Sequence, residues 1–148
     1  MKCDLIVVGG GPGGSMAAKT AAQAGLKVVM LENRQEIGDP VRCAEGVSKR
    51  ALCRMMKPEP EWISSEVKGA RLYAPDGKSI VMSEDKSGGE VGYVLERKIF
   101  DRGLAMQAAQ AGAKIFVKTR ALGLLRRDAV ICGAVSYTHL TLPTNREV

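Results

Sequence analysis

A chain of 148 residues and 15.8 kDa, 45% of it hydrophobic, is long enough to bury a core and too apolar to stay disordered. Its 22 Lys and Arg against 16 Asp and Glu give a net charge of +6, yet the basic residues are scattered and aromatics reach only 4%, which argues against a nucleic-acid stacking platform. The four cysteines (Cys3, Cys43, Cys53, Cys132) lack CxxC spacing, no signal-type segment precedes Asp4, and no apolar run approaches the roughly 20 residues that span a bilayer, so the expectation is a reducing cytoplasm, no metal site and at most peripheral membrane contact.

In chain order, Leu5 to Val8 is an apolar run that predicts a parallel strand buried on both faces. Ser15 to Ala24 is alanine-rich and stops at Gly25, the pattern of a helix ended by a glycine, and Lys27 to Leu31 predicts a second buried strand. Pro58 and Pro60 then break the chain. Lys68 to Ala74 and Lys78 to Ser83 flank Pro75-Asp76-Gly77, a β-hairpin signature, and Ser87-Gly88-Gly89 suggests a return loop before a short strand at Gly92 to Leu95. Trp62, at the entrance of this excursion, reads as a packing residue. Phe100, Leu104, Ala108 and Ala111 recur at helical spacing before a strand at Lys114 to Val117. The segment AAQAGAKIF (Ala108 to Phe116) echoes AAQAGLKVV (Ala21 to Val29), both reading as helix, glycine stop and strand.

Gly9, Gly11 and Gly14 form GxGxxG directly after the first strand and at the opening of the first helix. Alone that pattern is weak; its position is what gives it meaning. In a Rossmann-type βαβ unit the first glycine makes the tight turn, the second lets backbone N–H groups approach a pyrophosphate, and the third permits close helix–strand contact. Glu32 closes the second strand where an acid would accept hydrogen bonds from an adenosine ribose that lacks a 2′-phosphate. The following stretch, Asn33 to Val47, is long and polar; Arg42 is a candidate phosphate partner, and Cys43-Ala44-Glu45-Gly46 supplies small residues that admit a ligand, although an ordinary surface loop fits the same residues.

The segments DLIVVGGGPGGSMAAKTAAQAGL, RQEIGDPVRCAEGVSK and GGEVGYVLERKIFDRGLA closely resemble the archaeal geranylgeranyl reductase family, over about Lys2 to Ala134. GxGxxG is shared with many unrelated enzymes, whereas GDPVRCAEGVSK and YVLERKIFD together are narrow. The resemblance implies an α/β fold: a Rossmann-type FAD-binding domain like that of p-hydroxybenzoate hydroxylase, with the beginning of an antiparallel β substrate domain. It divides the chain into an incomplete FAD-binding domain at 1–58 and 94–134 and a substrate-domain hairpin at 59–93. By the same likeness Gly13 and Glu32 meet the pyrophosphate and ribose, Cys43, Ala44 and Gly46 lie along the flavin, Arg97 reaches the FAD from an RxxxDxxL helix start, and Ala121 borders the adenine. Asp101 is expected to be a structural first-turn acid favoured by the helix dipole. Cys43 is the candidate beside the flavin; no proton donor is assigned.

Two departures qualify the likeness. The family's later Gly-Asp segment is not found, since the sequence contains Gly-Asp only at Gly38-Asp39, and its isoprenoid-binding region is not found either. VSYTHLTLPT (Val135 to Thr144) resembles the translation of a transposase sequencing adapter, so 135–148, with His139, is expected to be a non-native tail. The implied activity is FAD-dependent saturation of the double bonds of geranylgeranyl chains on archaeal glycerophospholipids, in membrane lipid biosynthesis, with this chain as an inactive fragment. The implied partners are a prenylated glycerophospholipid and an electron donor, whether ferredoxin, a deazaflavin or a nicotinamide. An FAD-dependent aromatic hydroxylase of the same fold and a non-catalytic dinucleotide-binding module remain as alternatives.

Overall fold

A computed structural model of the chain describes residues 2–83 and 92–138; the expected return loop at Ser87 to Gly89 and the chain from His139 onward lie outside the described residues. The chain divides into two compact units, residues 1–39 with 101–148, and residues 40–100.

The first unit is built on a parallel sheet of order β1-β2-β8, comprising β1 (Leu5–Val8), β2 (Val28–Leu31) and β8 (Lys114–Phe116). Leu5 pairs with Val28 and Val8 with Leu31, while Val29 to Leu31 pair with Lys114 to Phe116. Central β2 is buried at all four positions. The expectation of burial on both faces fails for β1, which is half-buried, with Val8 63% exposed. Among the described residues β1 has a neighbour on one side only, which leaves part of it open, and sequence hydrophobicity does not report how many neighbours a strand has.

Helix α1 (Pro12–Gln23) starts three residues earlier than its alanine run, because proline is favoured at a first turn whose N–H would go unpaired anyway. It ends at Ala24, with Gly25 at φ +85°. Helix α3 (Arg97–Gln110) starts in the second unit and continues through the first. Ala18 and Ala22 of α1 and Ala105 and Ala108 of α3 join Val28, Met30, Ile37 and Ala113 in one buried cluster. Short side chains on both helices keep the backbones close to the sheet. Asp101 is not a first-turn acid: α3 begins at Arg97, a full turn earlier, and Asp101 is 5% exposed inside the helix. The same unit carries a long hairpin that the pattern reading did not foresee, β9 (Thr119–Arg127) and β10 (Val130–Thr138), with Asp128 and Ala129 at positive φ in its turn. Residues 135–138 of the expected tail pair with β9 here.

In the second unit β3 (Gly46–Ser48) and β4 (Ile63–Val67) flank β7 (Gly92–Leu95) in an antiparallel sheet, with helix α2 (Lys49–Met55) following β3. The Ser48 hydroxyl accepts from the Ala51 N–H and caps α2. Trp62, in a single 3-10 turn at Pro60–Trp62, is 2% exposed and meets Phe100 edge-to-face at 5.3 Å, so it packs as expected. The expected hairpin is present as β5 (Gly69–Tyr73) and β6 (Ser79–Ser83), with Tyr73 opposite Ser79. The compact units divide at 39/40 and 100/101, whereas the sequence reading divides at 58/59 and 93/94. Pairing explains the difference, since β3 and β4 share β7 and so draw residues 46–48, 63–67 and 92–95 into one sheet.

Candidate functional site

Gly9 follows the last residue of β1 at φ +104°, a conformation that side chains resist, and turns the chain into α1. A Cβ built on Gly14 would lie 1.9 Å from the Gly9 carbonyl oxygen, so only glycine lets α1 begin this close to the loop. On Gly11 and Gly13 a Cβ would meet nothing within 4 Å. The loop is thus tight against its own backbone on one side and open on the other. The first turn of α1 contains no acidic residue, and Gly11 caps it without a side-chain bond, leaving N–H groups and the positive end of the helix dipole for an anion.

Glu32 stands at the end of β2, 8% exposed. Its Oε2 accepts from the Gly10 N–H at 2.7 Å and its Oε1 from the Arg34 N–H at 2.8 Å. A buried carboxylate with those two bonds is satisfied, and each oxygen keeps acceptor capacity for a hydroxyl. Gly10 is held from the other side by Ser15, fully buried, whose hydroxyl donates to the Gly10 carbonyl at 3.2 Å. Ala121 lies two residues along β9 from Thr119, whose N–H donates to the Glu32 carbonyl at 2.8 Å. The first unit therefore brings together Gly9, Gly11, Gly13, Gly14 and Glu32 around the ends of β1 and β2, with Ala121 further along β9.

The remaining expected residues belong to the second unit. Arg42, Cys43 and Ala44 are exposed on the segment leading to β3, and Gly46 opens that strand opposite Val94. The Leu95 N–H donates to the Glu45 carbonyl at 3.0 Å, which ties this segment to the strand that delivers half-buried Arg97 at the start of α3. Glu45 holds φ +63°. All four cysteines are free. In the same unit Lys49 lies 5.2 Å from the Tyr93 ring centroid and pairs with Glu66; the hydrogen bond to Glu66 and one to Tyr93 raise its pKa.

A cavity of about 320 Å³ in the first unit is lined by apolar Ile37, Met106, Ile115 and Val117 beside the Glu36–Arg102 ion pair. It contains none of the expected site residues, and its lining lacks the converging donors an anionic cofactor needs. Sequence reasoning missed Gly10, Ser15, Arg34 and Thr119. Ser15 and Thr119 place hydroxyls on main-chain oxygens, and Gly10, Arg34 and Thr119 act through backbone N–H groups, on which residue type says nothing.

These elements fit a dinucleotide with a pyrophosphate and an unphosphorylated adenosine ribose. The chain is 74% identical over 133 residues to the digeranylgeranylglycerophospholipid reductase of Methanothrix thermoacetophila, a match covering 90% of this chain and 34% of that protein. It is 57% identical over 136 residues to the reductase of that name from Methanocella arvoryzae, covering 92% and 35%. The chain spans about a third of the length of the curated relatives it matches. Among solved structures, a geranylgeranyl bacteriochlorophyll reductase-like protein from Thermoplasma acidophilum aligns with TM-score 0.83 and 51% identity over 90% of this chain and 34% of its own. The myxobacterial chondrochloren halogenase, an FAD-dependent enzyme 19% identical, shares the fold at TM-score 0.70 over 92% of this chain and 33% of its own. The expected Rossmann-type flavoenzyme fold is therefore present, and the FAD dependent oxidoreductase family model matches residues 4–138, running through both compact units: the chain belongs to that family.

Proposed function

We propose that this chain is the FAD-binding part of a reductase that saturates the double bonds of geranylgeranyl chains on archaeal glycerophospholipids. The observation that carries the cofactor half is the open glycine cradle joined to buried Glu32 through the Gly10 N–H at 2.7 Å. The substrate half is supported by the identity of 74% to a relative named for that lipid.

On this reading the N–H groups at the start of α1 bind the pyrophosphate, Glu32 accepts from the ribose, and Ala121 borders the adenine. Arg42 supplies positive charge to a phosphate, Arg97 reaches the FAD from the start of α3, and Cys43, Ala44 and Gly46 lie along the flavin. Bound FAD supplies the two-electron reduction. An isolated alkene is unpolarised, so a proton has to reach it early or together with the hydride, in a site that excludes water. Cys43 is held to influence turnover from beside the flavin; unchanged flavin absorption and unchanged anaerobic reduction in Cys43→Ser would remove that role. The substrate is a prenylated glycerophospholipid, the donor a ferredoxin, a deazaflavin or a nicotinamide, and the place of work the cytoplasm with peripheral membrane contact. Among the described residues no helix is long and apolar enough to cross a membrane.

The test is anaerobic incubation of the flavin-loaded protein, expressed from its native gene, with dithionite and a digeranylgeranyl glycerophospholipid. Mass spectrometry should show the lipid gaining one dihydrogen per saturated bond. An unaltered lipid, or oxygen-dependent hydroxylation of an aromatic substrate instead, would overturn the reading.

A further inference from the structure

We propose that Thr119 is a positioning residue for Glu32, acting through the backbone turn at Lys118; this rests on the reading of Glu32 as the ribose acceptor. Beyond the last β2–β8 register pair, Leu31 with Phe116, the two chains stay laced by three backbone bonds of 2.8 Å: Glu32 N–H to the Phe116 carbonyl, Lys118 N–H to the Arg34 carbonyl, and Thr119 N–H to the Glu32 carbonyl. Two consecutive N–H groups can grip both ends of the 32–34 segment because Lys118 sits at φ +53°, in the left-handed region. The geometry supplies a reason for lysine to stay there. Thr119, 4% exposed, donates its hydroxyl to the Val117 carbonyl at 2.9 Å and so closes the turn across Lys118; the same oxygen lies 3.2 Å from the Thr138 hydroxyl.

The consequence reaches the cradle through main chain. With its N–H and carbonyl both held, the Glu32 backbone cannot swing, and its carboxylate stays between the Gly10 and Arg34 amides. Without the Thr119 hydroxyl, Lys118 can relax out of the left-handed region, withdraw the Thr119 N–H from Glu32 and loosen the carboxylate.

The experiment is titration of the apoprotein, expressed from its native gene, with FAD and separately with FMN, followed by flavin fluorescence. Thr119→Val keeps the strand-favouring β-branch and removes the hydroxyl; it should raise the Kd for FAD about fivefold, as expected for one lost hydrogen bond. Thr119→Ser should stay within about twofold of wild type on the same grounds. FMN has no adenosine ribose, and its affinity should be the same in all of these. In a Glu32→Ala background Thr119→Val should add nothing further, because the two act as one unit. If Thr119→Val fails to fold, Lys118→Val replaces it: a β-branched residue resists the left-handed turn and should weaken FAD, while Lys118→Gly should not. FAD affinity unchanged in the valine variants, or lost equally for FMN, or lost additively with Glu32→Ala, overturns the proposal. Unchanged FAD affinity in Glu32→Ala itself overturns instead the reading of Glu32 on which it rests.

Discussion

Glu32 and Gly14 carry different kinds of necessity. Glu32 holds the cradle through charge-assisted bonds to two backbone N–H groups, and its replacement by alanine should weaken FAD binding by roughly 1.5–3 kcal/mol, the scale of a hydrogen bond to a charged group, as read by titration. Gly14 acts by lacking an atom. A methyl group at 1.9 Å from the Gly9 oxygen forces backbone to move, so Gly14→Ala should abolish measurable FAD retention and lower the melting temperature, whereas Gly13→Ala, facing open space, should leave the melting temperature near wild type. Equal loss of thermal stability in the two variants would refute the steric account. Both residues were legible beforehand, because GxGxxG and an acid at the end of the second strand are defined by residue type. Ser15 and Thr119 were not, since their hydroxyls serve main-chain oxygens whose positions exist only after folding.

Between Trp62 and Phe100 the second unit has an edge-to-face contact that joins its 3-10 turn to the first turn of α3. Trp62→Ala removes a side chain that is 2% exposed and should destabilise this unit by about 3–5 kcal/mol in urea unfolding, where a loss under about 1 kcal/mol would show the site to be peripheral. The β5–β6 turn depends on weaker forces. Asp76 accepts from the Lys78 side chain at 3.0 Å and from its N–H at 3.1 Å, and these bonds hold its carboxyl below the ordinary carboxylate value. A lowered folded pKa means that the contribution is present above the unfolded value and is lost as pH falls through the folded one. The Lys78 amide shift followed by NMR should therefore be flat near neutrality and move only in the acid range, and Asp76→Asn should abolish that movement. Hairpin β5–β6 was readable because Pro-Asp-Gly is local turn chemistry. Strands β3 and β4 were not, because three to five residues carry little periodicity and their pairing with β7 spans dozens of positions.

Large apolar side chains crowd the outside of both hairpins. On β5–β6, Leu72 and Ile80 face each other across the strands and are 56% and 69% exposed; on β9–β10, Leu122, Leu124 and Ile131 are each more than half exposed. A two-stranded hairpin with such a face is marginal in water and prone to pair with its like. The 148-residue chain should accordingly self-associate with rising concentration in light scattering, and Leu72→Glu combined with Ile80→Lys should lower that association while leaving FAD affinity unchanged. Identical scattering from the doubly charged variant would count against the hairpin as the sticky surface. The helix–sheet alternation, the glycine turn, the acid after the second strand and the Pro-Asp-Gly hairpin follow from amino-acid order alone, because each is set by propensity or by short-range spacing. Folding in three dimensions was needed to leave β1 with one neighbour among the described residues, to assemble β3, β7 and β4 into one sheet, to start α3 a turn before Asp101, and to aim the Lys118 amide at the Arg34 carbonyl and the Thr119 amide at the Glu32 carbonyl. Those outcomes depend on which segments meet across long stretches of chain, and hydrogen bonds between main-chain groups that every residue carries leave no mark in residue type.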